Sequence, residues 1–196
     1  MKKNLITAIL MTVATTILLG IVYPLIVTGL AQLIFPKQAN GQLIQKDGKV
    51  IGSSIIAQGF SSPAYFHPRP SFAGNGYDPT STNGSQLGPT NQKLIDRVKG
   101  DVANAQAENP SVTVPIDLVT GSGSGLDPHI TPATAEFQLP RVAKERGTTV
   151  EQLRGLVQKH TQDRQFGFLG ETRVNVLELN LELDERFPTK KQASIQ

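Results

Sequence analysis

The sequence contains no cysteine. That excludes disulfide staples, zinc–cysteine sites and thiol catalysis, and it suits an exported domain that needs no redox handling. Aromatic residues are sparse, with three tyrosines and eight phenylalanines, and no basic stripe accompanies them. The pI of about 9.2 is therefore not a nucleic-acid signature. Of the 19 basic residues, Lys2 and Lys3 stand at the start of the chain, and the other 17 nearly balance the 16 acidic ones. The three histidines, His67, His129 and His160, show no helical or short-range pairing, so no metal site is expected. There is no Walker A loop, no GxGxxG fingerprint and no GxSxG elbow.

What the sequence does have is a long apolar run. Leu5 to Phe35 carries no charged residue over 31 positions. At helical rise it reaches about 46 Å, whereas a bilayer core needs only ~30 Å. Within lipid a single segment pairs its own backbone only as a helix. The run, with its core at about 8–30, is thus expected to span a membrane. A cleaved secretory signal is shorter and ends in small residues, while here Gly20 is followed by Ile21, Val22 and Tyr23. Lys2 and Lys3 precede the run and Lys37 alone follows it, which places residues 1–4 in the cytoplasm. Residues 36–187 then form an extracytoplasmic domain, and 188–196 a loose tail. Pro24 is expected to kink the helix near Gly20–Pro24. Thr12, Thr15, Thr16, Thr28 and Gln32 are either helix–helix contacts or tolerated polar groups.

The domain of about 160 residues can bury a core of its own. Leu43–Ile44 and Val50–Ile51 around Asp47–Gly48 predict a hairpin. Residues 59–89 show hardly any periodicity, yet hold Phe60, Tyr65, Phe66, Phe72 and Tyr77. Such a long aromatic loop is expected to be ordered and to bind something, the alternative being a coil that covers the core. Thr90 is expected to cap a helix with Leu94, Val98, Val102 and Ala105 on one face. A buried strand is expected at Val112–Val119, then the glycine-rich TGSGSGLDPHITP turn, then a helix from Thr131–Pro132 to Gly147 that Pro140 kinks or splits. Thr148 and Glu151 suggest a capping box for the next helix, whose inner face is Val150, Leu153 and Val157, with His160 a core histidine. Residues 175–185 alternate leucine with polar residues as a strand would, but Leu, Glu and an Asn175 cap favour a helix. The fold class is α/β (α+β), loop-rich, on a single N-terminal transmembrane helix.

The most site-like feature is the segment from Val114 to Ala135. A glycine loop entering a helix N-terminus suits an anion, although a purely structural turn is the commoner use. Ser122 and Ser124 near His129, Asp117 and Asp127 allow an anchored extracytoplasmic serine hydrolase to be imagined, or a ligand-binding domain. Arg69, held between Pro68 and Pro70, is a candidate contact for another protein.

The chain also resembles a known family. YPLIVTGLAQLIFPKQANG, GSSIIAQGF, YFHPRPS, GSQLGPTN, PIDLVTGSGSGLDPHITPATAEFQLPRVA and RQFGFLGETRVNVLELNLELD are similar to the C subunit of the bacterial Kdp potassium-transporting ATPase. The resemblance implies a bacterial inner-membrane complex of a channel-like potassium-binding subunit, a P-type ATPase subunit, this subunit and a small single-span peptide. It implies no catalytic residue here, and neither a DKTGT phosphorylation motif nor a potassium selectivity loop occurs. The implied role is to stabilise assembly and to raise ATP affinity of the ATPase subunit as a catalytic chaperone, with no cofactor bound alone and ATP met only through that subunit. Candidate partner contacts are Tyr23, Pro24 and Thr28 in the anchor, Tyr65, Phe66 and Arg69 in the long loop, and Ser124, Asp127 and His129 in the glycine-rich turn.

Overall fold

A computed structural model describes residues 1–189, and most of the expected tail, 190–196, lies outside them. The chain divides into two units, Met1–Ser53 and a second beginning at Ser54.

The first unit is built on an apolar helix, Lys2–Ile34, long and apolar enough to cross a membrane and with none of its residues buried within the protein. It comprises α1 (Lys2–Ile17), a π-helical turn (Leu18–Val22) and α2 (Tyr23–Ile34). The π turn sits where Pro24 removes a backbone donor and where its ring would strike the carbonyl one turn back. The expected disturbance at Gly20–Pro24 thus takes the form of a locally widened helix. Thr7, Thr12 and Thr15 return their hydroxyls to the carbonyls four residues earlier, satisfying themselves within the helix. Gln32 is paired reciprocally with Asn40, just beyond the short α3 (Pro36–Ala39). The hairpin follows as predicted, β1 (Leu43–Lys46) antiparallel to β2 (Lys49–Ser53). Asp47 and Gly48 adopt φ of 52° and 76°, the left-handed pair that a two-residue turn requires.

The second unit is α+β. Its three-stranded antiparallel sheet has order β3–β5–β4, from β3 (His129–Ile130), β4 (Thr161–Gln162) and β5 (Arg173–Asn175). The helices are α4 (Gln92–Glu108), α5 (Pro132–Arg146), α6 (Val150–Lys159) and α7 (Val176–Arg186). The core joins Leu139 and Val142 of α5, Leu153, Leu156 and Val157 of α6, Leu179 and Leu183 of α7, Val174 of β5, and Phe66 from the long loop. Thr131 caps α5 through Thr134 N, and Gly147 ends it at φ 66°. Pro140 faces solvent and does not divide the helix. Residues 176–186 are helical, with Asn175 as the cap.

Three expectations are corrected. Val112–Val119 is not a strand: it contains a 3-10 turn, Ile116–Leu118, with Val112 46% and Ile116 68% exposed. Pro110 and Pro115 supply no donors to a ladder, so β-branched side chains alone do not make the segment pair. The cap of α4 is Asn91, accepting from Lys93 N, rather than Thr90. The capping box of α6 is Thr149 with Gln152, one position later than Thr148 with Glu151.

Candidate functional site

The loop of residues 59–89 has no helix or strand, yet its backbone at 63–67 is paired. Buried polar backbone groups must find partners somewhere. Here side chains of α5 and α7 supply them. Arg141 donates to the carbonyls of Pro63 and Tyr65. Arg146 donates to Ala64 O at 2.8 Å, Asn180 to Phe66 O at 2.9 Å and Gln138 to His67 O at 3.1 Å. Five consecutive carbonyls, 63 to 67, are capped in this way. Asn180 and Gln138 also accept from the amides of Phe66 and His67, so each mimics a neighbouring strand. Both amide side chains are almost wholly buried. Arg146 further pairs with Asp184 at 2.8 Å and lies 4.6 Å over the Tyr65 ring, whose hydroxyl donates to Asp184. Burial, then the Asp184 carboxylate, raises the Tyr65 pKa. Phe66, fully enclosed, acts inside the core and offers no surface to a partner.

A second junction brings three of the sequence-predicted residues together. Arg69, Asp127 and His129 line a cleft of about 220 Å³ with Asp117, Thr131, Glu171 and Arg173. Arg69 donates to Asp127 at 3.3 Å, and to the carbonyl and hydroxyl of Thr120 at 3.2 Å each. Its own carbonyl accepts the Tyr77 hydroxyl at 2.8 Å, and burial pushes that phenol up to about 12. Asp127 accepts from His129 N and faces its Nδ1 at 3.4 Å. Burial alone would raise the Asp127 carboxyl, but the His129 hydrogen bonds and the Arg69 charge hold it below its ordinary value. Asp117, 6% exposed, accepts Thr131 N at 2.7 Å and the Thr134 hydroxyl at 3.1 Å. It therefore places a carboxylate at the positive end of α5, where a free anion would otherwise be favoured.

The glycine-rich turn explains its own composition. A Cβ on Gly121 would meet the Phe72 ring at 2.4 Å, and one on Gly125 would meet Asn83 O at 2.6 Å and Ala73 N at 2.8 Å. Gly125 also has φ of 70°. The turn is glycine because the long loop lies directly on it. Ser122 and Ser124 accept from the amides of Asp127 and Leu126, and neither hydroxyl bonds His129, so no serine–histidine pair is formed. Ser124 lies on the exposed side of the turn, outside the cleft. Among the described residues no group of three His, Cys, Asp or Glu is placed to hold a metal ion.

The clamp residues Gln138, Arg141, Arg146 and Asn180 were not legible as a site from the sequence. Asn180 did carry a signal. On a helix capped by Asn175 it falls four after Val176 and three before Leu183, a polar residue inside an apolar stripe. Tyr23, Pro24 and Thr28 are exposed on α2 in the first unit.

Comparison with known proteins gives this arrangement a lineage. Residues 5–185 match the family described as K+-transporting ATPase, c chain. A potassium-transporting ATPase KdpC subunit of Koribacter versatilis is 63% identical over 188 residues, covering 96% of this chain and 97% of the relative. One from Rhodospirillum rubrum is 55% identical over 190 residues, covering 96% and 98%. One from Mycobacterium bovis is 52% identical over 187 residues, covering 94% and 99%. Matches of this extent, spanning both the apolar helix and the clamped unit, place the chain in the family of C chains of the K+-transporting ATPase.

Proposed function

We propose that the chain is a non-catalytic accessory subunit of an ATP-driven potassium uptake complex in the bacterial inner membrane. Residues 5–35 span the bilayer with residues 1–4 in the cytoplasm, and residues 36–187 lie on the extracytoplasmic side. Its partners are a channel-like potassium-binding subunit, a P-type ATPase subunit and a small single-span subunit. It stabilises their assembly and raises ATP affinity at the ATPase subunit, and it meets ATP only through that subunit. The observation that carries the reading is the match of residues 5–185, across the apolar helix and most of the second unit, to the C chains of the K+-transporting ATPase. Arg69, Asp127, Ser122 and Ser124 each hold loop segments together, which suits a scaffold that is read by other subunits.

This orientation separates the second unit from a cytoplasmic nucleotide. The effect on ATP affinity then travels as a coupling between two states of the complex, rather than through shared contacts with ATP. The π turn and Tyr23, Pro24 and Thr28 are the segment through which the anchor would couple. In the second unit Tyr65, Arg69, Ser124, Asp127 and His129 are the proposed contacts with partner subunits.

The test compares the complex assembled with and without this chain. Without it, we expect less intact complex and a higher KM for ATP. Equal recovery and an unchanged KM would overturn the accessory role. Orientation is read separately from the cysteine-free background. Ser81→Cys, at an exposed position, should react with an impermeant thiol reagent in intact cells with their outer layers permeabilised. Labelling only after the inner membrane is broken would place the second unit in the cytoplasm.

A further inference from the structure

Between β4 and β5 the chain projects a small hairpin whose apolar residues all face outward. Phe166 is 87% exposed, Phe168 70% and Leu169 47%. Single exposed apolar residues need no explanation, but three within four positions form a patch. The segment is also built. Gln165 and Leu169 exchange both backbone hydrogen bonds at 2.9 Å, and Gly167 N and Phe168 N close the turn onto Arg164 O and Gln165 O. Arg164 reaches across the base to Glu171 at 2.8 Å.

A second observation is independent of exposure. Phe166 holds φ of 53°, left-handed space that a bulky residue seldom enters. Glycines stand beside it at 167 and further on at 170, both with positive φ. A glycine or asparagine at 166 would fit that backbone without strain. The ring is held in an unfavourable conformation and turned to solvent, so it contributes nothing evident to the fold. Strain kept without a packing reward points to use by a ligand or partner.

The charges around the tip decide what kind of partner. Arg164 is paired with Glu171, and Asp163 and Arg173 are of opposite sign. A surface helix or loop that binds anionic lipid carries excess cations beside its apolar residues, and this tip carries none. Two aromatic rings and a leucine on a rigid, neutral wedge match the anchor type that fills apolar protein pockets.

We propose that residues 165–169 form a docking finger whose phenyl rings and leucine enter an apolar cleft on another subunit of the same potassium-transporting complex. This rests on the accessory-subunit reading and names the contact that reading leaves open.

The experiment uses the full complex in native membranes. Benzoylphenylalanine incorporated at position 168 is irradiated, and the adduct is identified by mass. In parallel, the Phe166→Ser, Phe168→Ser, Leu169→Ser triple variant is compared with wild type for thermal midpoint and for recovery of the complex. We expect an adduct to a subunit that co-purifies with the wild-type chain. We also expect the triple variant to keep its midpoint and to lose at least tenfold in recovered complex. Adducts to lipid alone, no adduct, or a folded triple variant with full recovery would overturn the finger while leaving the accessory role standing. If the triple variant fails to fold, the adduct from the otherwise intact chain decides. A wild-type chain that brings down no other subunit would overturn the accessory reading, and the finger with it.

Discussion

Two loops of the second unit solve opposite problems. Residues 59–89 form a long connection with no regular structure, and their polar backbone at 63–67 is held by arginine and amide side chains from α5 and α7. Residues 163–172 form a short connection whose pairing, among the described residues, is within itself, at Gln165 with Leu169 and Arg164 with Glu171. The first loop buries Phe66 completely, and the second leaves Phe166 and Phe168 in solvent. Length and aromatic content therefore do not decide whether a loop belongs to the core or to the surface. What decides is whether neighbouring helices carry polar side chains that can pair with its backbone. Where they do, the loop is part of the scaffold. Where they do not, its rings are free for something outside.

The most damaging way to break this contrast is Asn180→Leu. The leucine fills similar space but leaves Phe66 N–H and C=O buried without partners, and each such group costs about 1–3 kcal/mol. We expect a loss of about 4 kcal/mol in urea unfolding of the full-length chain in detergent, with residues 163–172 as protease-resistant as before. A loss below about 1 kcal/mol would show that water or another group pairs with the loop and that Asn180 is not its clamp. Arg146→Met should cost as much, roughly 4 kcal/mol. It strands the Ala64 and Phe187 carbonyls and a carboxylate, although Asp184 keeps 21% exposure and can recover some hydration. The Tyr65 ring also loses its overlying cation, so tyrosine fluorescence should report the loosening of the loop before global unfolding.

How much of this was visible in the sequence follows from what kind of interaction each feature depends on. The apolar helix, the Asp47–Gly48 hairpin, the Thr131–Pro132 helix start and the Asn175 cap are local, set by residues within one turn of each other, and they were legible. The clamp joins positions 66 and 180, or 64 and 146, which no short-range pattern relates. The supposed strand at 112–119 failed for a similar reason. Its β-branched residues favour extension, but a strand needs a partner, and the two prolines beside and within it withhold donors. The cleft was partly legible. Arg69, Asp127 and His129 were singled out and do meet, while Asp117 was noticed without its role as the partner of the α5 N-terminus. The exposed finger was seen only as part of a family motif, since alternating Phe, Gly and Leu say nothing about which way a side chain faces.

Acid should test the clamp through its supporting helices. Glu182 on α7 accepts from Lys159 at 2.7 Å and His160 at 2.6 Å, and Arg186 lies at 2.6 Å. The Lys159 hydrogen bond leads in holding its carboxyl down to about 2 from an ordinary 4.5; burial opposes it, and His160 and Arg186 assist. A carboxyl depressed in the folded state gives stability that is present above about pH 4.5 and lost as pH falls toward about 2. The effect is modest because Lys159 and Arg186 are more than half exposed. The thermal midpoint of the chain should fall over that interval, and Glu182→Gln should flatten part of the slope. An identical slope in the variant would assign the acid sensitivity elsewhere, with Asp127 the next group to replace.

The smallest expected effect tests the other loop. Phe166→Gly removes a ring that is 87% exposed, so almost no burial is lost. It also relieves a left-handed backbone that costs an L residue about 1–2 kcal/mol, against about 0.5–1 kcal/mol for the extra freedom glycine has when unfolded. The isolated chain should therefore become more stable, by about 0.5 kcal/mol, the reverse of what trimming an aromatic residue in the clamp would do. A loss of stability instead would mean that the ring packs against its own chain, and the contrast between the two loops would collapse. A gain would mean that the wild-type chain keeps a phenylalanine where its own folding favours glycine, and that the reason for the ring lies outside the chain.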